Sequence, residues 1–147
     1  MENVNATIDA FFADYEKLFN RSLKEEVDVE KTVKSFAGCF VEASPAGIIC
    51  GNNDDEFRKR IPKGYEFYKS IGTQSMTIQS KKITALDELH QMTKVDWSAG
   101  YRKKDGKEEV IDFSVLYFTQ LQKGEPKIFA YITGDEQKVL KERGLIQ

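Results

Sequence analysis

The chain has 147 residues, 40% of them apolar and 31% charged, a composition typical of a globular domain rather than a disordered segment. Its 22 basic and 24 acidic side chains give a net charge of −2, which argues against binding to nucleic acid or to an anionic membrane surface. The sequence has neither an apolar run of about 18 residues nor a basic and apolar leader. We therefore expect one soluble, cytoplasmic domain over residues 1–147.

The sequence offers no set of residues suited to a metal ion or a phosphate-bearing cofactor. His90 is the single histidine, Cys39 and Cys50 are the two cysteines, and neither an acidic calcium loop nor a Gly-rich phosphate loop occurs. In a reducing cytoplasm both cysteines are expected to remain thiols. We predict neither a metal nor a cofactor.

The first third of the chain has helical periodicity. Over about Thr7–Ser22, apolar residues recur at the spacing of one helical face, namely Ile8, Phe11, Phe12, Tyr15, Leu18 and Phe19. A second, shorter helix is predicted to begin at Asp28, a good N-cap residue. Cys39–Ala43 and Gly47–Cys50 flank a Ser-Pro-Ala turn and are typical of a small hairpin.

A third helix is predicted after Asn53, which with Glu56 has the spacing of a capping pair. The helix is expected to break at Pro62, because proline cannot donate the backbone hydrogen bond that the helix requires there. A further turn or two then ends at Gly72, a natural C-terminal cap.

From Thr73 onward the sequence pattern changes to alternating β-branched and aromatic residues. The alternation predicts four strands, near Gln74–Leu86, Leu89–Arg102, Glu108–Leu121 and Lys127–Thr133. Asp105-Gly106 favours a two-residue hairpin turn, and Thr133 with Glu136 favours a capping box for a last helix. Because the strands are segregated from the helices, we predict an α+β fold.

The turn at Asp105-Gly106 also predicts which side chains share a face of the sheet. A two-residue loop there places Trp97 and Asp112 on one face, and Asp96 and Tyr117 on the other. Both faces of the last strands are then apolar, and the helices of one chain can cover only one of them.

The second apolar face is covered either by the C-terminal helix or by a partner. We predict a homodimer packed sheet to sheet, because one short helix hides too little of an aromatic sheet face. A second two-residue turn at Lys123-Gly124 extends this register to the last strand and places Val115 and Ile128 at the seam between the two copies.

A long aromatic first helix, a short helix beginning at Asp28, a hairpin around Pro45 and a four-strand meander together resemble the nuclear transport factor 2-like superfamily, which includes ketosteroid isomerase-like and polyketide cyclase-like members. The resemblance covers nearly the whole chain. The Gly-Asp-Glu-Gln…Arg-Gly-Leu ending within Thr133–Ile146 looks like that of uncharacterised bacterial members. The resemblance implies a curved sheet wrapped around the helices as a cone, with a pocket at its mouth.

Ketosteroid isomerase offers one catalytic set for comparison. Tyr15 and Asn20 match the spacing of a tyrosine and an asparagine on that enzyme's first helix. Ser44 stands where the general base should be, and Phe118 falls near the position of the second acid. A serine without an adjacent base takes no proton at neutral pH, so the resemblance implies no isomerase chemistry of this type.

Limonene epoxide hydrolase offers a second set. Lys94-Val95-Asp96 is similar to its Arg-Val-Asp segment, and Lys94 and Asp96 share a face of their strand. Its other aspartate falls near Ile132, which has no carboxylate. The water-activating pair of acids is therefore incomplete.

These observations leave three interpretations of function. The first is an apolar pocket that binds or transforms a small molecule, with ligand-binding candidates Tyr15, Asp96, Trp97, Asp112 and Tyr117. The second is a non-catalytic assembly module that uses the sheet face, and the third is an enzyme with a different catalytic set. A dry pocket would raise the pKa of Asp96, whereas the alternative is a surface ion pair with Lys94. Tyr15 is either a ligand contact or a core tyrosine.

Overall fold

A computed structural model describes residues 3–147 and shows helices packed on one face of a curved six-stranded sheet. The elements in chain order are α1 (Val4–Lys24), α2 (Val29–Lys34), β1 (Phe36–Ser44), β2 (Gly47–Asn52), α3 (Asp55–Ser70), β3 (Thr73–Ala85), β4 (His90–Arg102), β5 (Glu108–Gln122), β6 (Glu125–Ile132) and α4 (Glu136–Glu142). The strand order is β2-β1-β6-β5-β4-β3, and among the described residues only β1 and β6 pair in parallel. The α+β prediction is confirmed. No helix among the described residues is long and apolar enough to cross a membrane.

The core lies between α1 and the concave face of the sheet. Ile8 and Phe12 of α1 are fully buried, as the helical spacing predicted, and they pack with Val95 and Trp97 of β4. Burying a large aliphatic or aromatic side chain of this kind contributes about 1.5–3 kcal/mol. The position of α1 therefore follows from its apolar stripe.

Asn20 fixes α1 against the edge strand β3. Its amide donates to the carbonyl of Met76 at 2.6 Å, and its side-chain oxygen accepts from the Met76 backbone N–H at 2.8 Å. One turn earlier, the Glu16 carboxylate accepts from the backbone N–H of Ile78. Asn20 is thus occupied by the backbone of β3, and the spacing between Tyr15 and Asn20 does not mark a catalytic pair.

Two predicted helix boundaries are wrong, and each has a local cause. Asp54, not Asn53, caps α3 by accepting from the backbone of Phe57, while the Asn53 amide donates to backbone carbonyls at the end of α2 and the start of β1. The helix also continues through Pro62. Ile61 and Tyr65 on its buried face pack into the core, which offsets the hydrogen bond that proline cannot make.

The last helix likewise begins two residues later than the capping box predicted. Asp135 is the N-cap of α4 and accepts from the backbone N–H of Lys138, so Thr133 remains an extension of β6. The N-cap predicted for α2 is confirmed, because the Asp28 side chain accepts from the backbone of Lys31.

The turn between β4 and β5 is one residue longer than predicted. The Gly106 N–H donates to the Lys103 carbonyl and the Lys103 N–H to the Lys107 carbonyl, so the loop is Lys104-Asp105-Gly106. Gly106 has a φ of 87°, the left-handed conformation that follows a type I turn in hairpin loops of this length. The register therefore shifts by one, and Trp97 pairs with Phe113 instead of Ser114.

This shift moves every β5 side chain to the opposite face relative to β4. Val115 pairs with Val95 and is buried in the core, so it does not lie at a seam between two copies. Between β5 and β6 the predicted register holds as far as Ile128, and an irregularity at Phe129 then changes it. Ile128 is also fully buried, so its predicted place at the seam is wrong as well.

The hydrogen bonds of Asn20 predict a large loss of stability on truncation. Asn20→Ala leaves both polar groups of the Met76 backbone without their partner in a part-buried position, which should lower the free energy of unfolding by about 1–3 kcal/mol. Urea denaturation followed by circular dichroism measures the change. Lys17→Ala, on the exposed side of the same helix, is the control and should stay within about 0.5 kcal/mol of the parent. Equal effects of the two substitutions would contradict the anchoring role.

Candidate functional site

A cavity of about 280 Å³ lies between the concave face of the sheet and helices α1, α3 and α4. The strands contribute most of its wall, α1 and α3 contribute aromatic side chains, and the segment that leads into α4 covers one end. The aromatic residues at the cavity are Tyr15, Phe19, Phe36, Tyr68, Trp97, Tyr101, Phe113, Tyr117 and Tyr131. This wall makes the cavity the candidate functional site.

Three of the residues singled out from the sequence meet in this wall. The ring of Tyr15 lies 6.4 Å from that of Trp97 and 6.0 Å from that of Tyr117, measured between centroids. The indole N–H of Trp97 donates to the Tyr117 hydroxyl at 3.2 Å. Trp97 and Tyr117 share the concave face because of the register described above, not the register predicted from a two-residue turn. A role in ligand binding stays a prediction for all three.

The tyrosine hydroxyls in the cavity remain protonated at any ordinary pH. Burial is the main cause that raises the pKa of Tyr15 and of Tyr117 well above their usual value. At Tyr101 burial, followed by the nearby Glu136 carboxylate, raises the pKa to about 12. Neutral phenols both donate and accept hydrogen bonds, so these residues can orient a polar group without adding charge.

Two carboxylates, Glu42 and Glu136, stand at the α4 end of the cavity. Glu42 pairs with Tyr131 in the parallel ladder between β1 and β6, so its side chain reaches the concave face beside that ring. The backbone N–H of Thr133 donates to the carbonyl of Ala43 at 2.9 Å and brings the start of α4 to the same place. Glu136 is the first residue of that helix.

The ionisation of Glu136 depends on its burial and on the nearby Glu42 carboxylate. Much of Glu136 is exposed, yet packing around its carboxyl group raises its pKa, and repulsion from Glu42 raises it further. Burial and then the Glu42 carboxylate raise the pKa of Tyr131, against a smaller lowering by the Arg60 guanidinium. No basic residue within 4 Å pairs with either glutamate among residues 3–147.

A buried hydroxyl without a partner also borders the cavity. Thr73, the first residue of β3, is 6% exposed, and its Oγ1 has no hydrogen-bond partner in the described part of the chain. Buried polar groups are normally paired, so an unpaired one at a cavity wall marks a place where a bound molecule or water can supply the partner.

Asp96 lies on the outer face of the sheet and not in the cavity. Its carboxylate accepts from the hydroxyls of Ser114 and Ser80 and lies 3.9 Å from the Lys94 ammonium. These hydrogen bonds, followed by the charge of Lys94, lower its pKa, opposite to the rise that a dry pocket would cause. Its side chain is 40% exposed, which agrees with the surface ion pair considered as the alternative. The segment similar to the epoxide hydrolase motif therefore faces away from the cavity.

The register also places Asp112 on the outer face of the sheet. It pairs with Ser98 on the outer face and is exposed, although its strand position borders the cavity rim. Phe118, at the position of the isomerase's second acid, also alternates to the outer face, where its ring lies 6.2 Å from that of Phe129. Ser44 is engaged in the β1–β2 turn, where its hydroxyl accepts from the backbone of Ala46.

The structure adds the two glutamates, which the sequence did not single out. Glu42 reaches the site because β1 pairs with β6, a partner far along the chain. Glu136 appeared only as part of a capping box. No grouping of three or more His, Cys, Asp or Glu among residues 3–147 is placed to hold a metal ion, and Cys39 and Cys50 are exposed free thiols.

Nearly the whole chain matches one known protein family. Residues 3–136 match the model of the family described as NTF2-like protein (DUF6841). No curated protein matches the chain.

Solved structures share the fold at low sequence identity. An NTF-2 like protein of unknown function from Shewanella oneidensis MR-1 is 16% identical, over 90% of this chain and 100% of that one, with a TM-score of 0.66. A ketosteroid isomerase-like protein from Erwinia carotovora atroseptica is 15% identical, over 88% of this chain and 93% of that one, with a TM-score of 0.63. An NTF2-like protein with a cystatin-like fold from Novosphingobium aromaticivorans is 10% identical, over 97% of this chain and 88% of that one, with a TM-score of 0.68. At these identities the likeness shows a common fold alone.

The raised pKa of Glu136 predicts a pH-dependent stability difference. The folded chain holds this proton more tightly than the unfolded chain does, so the stabilisation is complete below the ordinary pKa of 4.5 and is lost as the pH rises through the folded value. Because glutamine does not ionise, Glu136→Gln should melt higher than the parent at about pH 8 and show little gain at about pH 4.

Thermal melting of parent and variant at the two pH values measures this difference. Glu142→Gln removes a carboxylate from the exposed end of the same helix and controls for net charge. A gain for Glu136→Gln that is the same at both pH values, or that matches the control, would contradict the raised pKa of Glu136.

Proposed function

The chain belongs to the NTF2-like family DUF6841, and we propose that it binds a small, largely apolar molecule in the cavity between its helices and its sheet. One observation carries the proposal, namely a cavity of about 280 Å³ whose wall is largely apolar, with nine aromatic residues, and whose tyrosine hydroxyls are neutral. Ligand sites are typically concave, apolar and furnished with a few polar groups that orient the ligand.

The size of the cavity limits the ligand. Pockets for metabolites and drugs begin at about 300 Å³, so this cavity suits a molecule of about a dozen non-hydrogen atoms. At about 0.3–0.5 kcal/mol per atom, such a molecule would bind with a dissociation constant between millimolar and tens of micromolar. Binding experiments should therefore be set up at those concentrations.

Binding is supported better than the proton-transfer chemistry of the ketosteroid isomerases. Ser44 takes part in a turn, Asn20 holds the backbone of β3, and Phe118 lies on the outer face. None of the three is available to take or donate a proton in the cavity.

A second proposal is self-association through the outer face of the sheet. Apolar side chains of β5 and β6 gather on that face, namely Leu116, Phe118, Phe129, Ala130 and Ile132. The helices pack on the opposite face, and α4 borders the cavity, so the part of the chain described here leaves this patch without an apolar cover. A second copy of the same face would cover it with a matching surface.

Filling the cavity should abolish ligand binding without loss of fold. Val115 is buried and borders the cavity, so Val115→Phe places a ring in the space where the ligand would lie. We expect the uncharged probe 1-naphthalenemethanol to bind the parent at millimolar or lower concentration and to bind this variant at least about tenfold more weakly. Because the chain has a single tryptophan, the indole N–H signal of Trp97 in ¹H–¹⁵N spectra reports the cavity directly.

Val110→Phe is the matched control, since it makes the same change on the same strand at a residue that is 57% exposed. Its affinity for the probe should equal that of the parent. Absence of any shift of the Trp97 indole signal in the parent would contradict the proposed function, as would equal binding by Val115→Phe.

The proposed dimer predicts a change of mass on charge insertion. Ile132 on β6 is 43% exposed, and Ile132→Glu places a carboxylate within the apolar patch. The parent should sediment at micromolar concentration at twice the 16.8 kDa of one chain, and the variant at the single-chain mass. Ile49→Glu, which lies on the edge strand β2 but on the face of Glu42 and not of Ile132, should leave the dimer intact. A parent that sediments as a single chain would refute the proposal.

A further inference from the structure

The charged groups at the cavity have one sign. Its acidic residues are Glu42, Asp112, Asp135 and Glu136, and no lysine, arginine or histidine of residues 3–147 borders it. The Asp135 carboxylate is occupied as the N-cap of α4, and Asp112 alternates to the outer face. The two carboxylates left to meet a ligand are therefore Glu42 and Glu136.

The neighbours of these two carboxylates show that their charge reaches into the cavity. The nearby Glu136 carboxylate raises the pKa of both Tyr68 and Tyr101, after the larger effect of burial, and Glu42 does the same at Tyr131. Arg60 opposes this effect at Tyr131, but it is exposed and does not border the cavity. Negative potential at the α4 end of an aromatic cavity favours a cation and repels an anion.

The wall of the cavity suits the body of such a cation. Aromatic faces attract ammonium groups through their quadrupoles, and the rings of Phe36, Tyr68 and Tyr131 border the same space as the two glutamates. Tyrosine hydroxyls that stay neutral accept hydrogen bonds from N–H donors. The buried Thr73 hydroxyl, which has no partner among the described residues, adds a free polar contact for a ligand at the wall.

We infer that the cavity takes an organic ammonium ion, with the charged nitrogen between Glu42 and Glu136 and an aromatic or alicyclic body against Tyr15, Trp97 and Tyr117. This inference rests on the proposed function, since it names the ligand class of the same cavity. Glu136 is exposed and Glu42 is half-buried, so the ammonium group keeps part of its hydration while it pairs with the carboxylates. A strongly basic amine with a compact ring system fits this description, whereas carboxylate, sulfate and phosphate ligands do not.

Three probes with one naphthalene body and different charges test the inference. At neutral pH 1-naphthylmethylamine is a cation, 1-naphthalenemethanol is neutral and 1-naphthoic acid is an anion. Charge-assisted hydrogen bonds of this kind correspond to about a tenfold to hundredfold gain in affinity, so the amine should bind the parent at least about tenfold more tightly than the alcohol. The acid should bind more weakly than the alcohol. The Trp97 indole signal and titration calorimetry both measure the affinities.

Variants of the two glutamates separate charge recognition from general binding. In Glu136→Gln, and separately in Glu42→Gln, the ratio of amine to alcohol affinity should fall severalfold towards one. Glu142→Gln, at the exposed end of α4, should keep the ratio of the parent. Two variants on different elements guard against the failure of one of them to fold.

The possible results distinguish failure of the ammonium site from failure of the proposed cavity function. An amine that binds no more tightly than the alcohol, while the alcohol still binds, refutes the ammonium site and leaves the proposed cavity function standing. Tighter binding of the acid than of the amine refutes the inference as well. Absence of binding by all three probes contradicts the cavity function and, with it, the inference.

Discussion

The register of the β4–β5 hairpin determines which side chains enter the cavity. A loop of Lys104, Asp105 and Gly106, with Gly106 in the left-handed conformation, pairs Trp97 with Phe113 and Val95 with Val115. A loop one residue shorter would exchange the two faces of β5 and place its serine and aspartate side chains inside. With the observed loop, the aromatic residues of β4 and β5 face α1, and the network around Asp96 faces outward. Both the aromatic wall and the neutrality of its hydroxyls follow from this register.

The second constraint is the parallel pairing of β1 with β6. It is the one parallel ladder in the sheet of the described chain, and it brings Glu42 beside Tyr131 at the point where α4 begins. The cavity thus has an apolar body and an acidic end. Electrostatic interactions are stronger in such partly dehydrated surroundings than in water. Two carboxylates without basic partners are therefore an unusual arrangement there unless the site binds a cation. The pairing of β1 with β6 thus places a negative charge where the proposed cation would bind.

Much of the fold could be predicted from local sequence, because the stripe of α1 and the alternation in β3 to β6 are strong patterns. The predictions about the site that were wrong concern strand register, which local sequence does not determine. Asp105-Gly106 fits two hairpin loops of different length, and packing decided between them. The irregularity at Phe129 has no local marker. Tyr15, Trp97 and Tyr117 could be named because aromatic residues on buried elements stand out, whereas Glu42 could not, because its neighbours come from the other end of the chain.

The central claim is that the register puts Asp96 outside and leaves Glu136 at the cavity. Carboxyl ¹³C chemical shifts followed against pH test it most directly, because both groups titrate in one experiment. We predict a midpoint for Asp96 below the ordinary value near 4, because two serine hydroxyls and Lys94 stabilise its charge, and a midpoint for Glu136 above its own ordinary value. A raised midpoint for Asp96 together with an ordinary or lowered midpoint for Glu136 would contradict it, and would mean that the hairpin has the shorter loop.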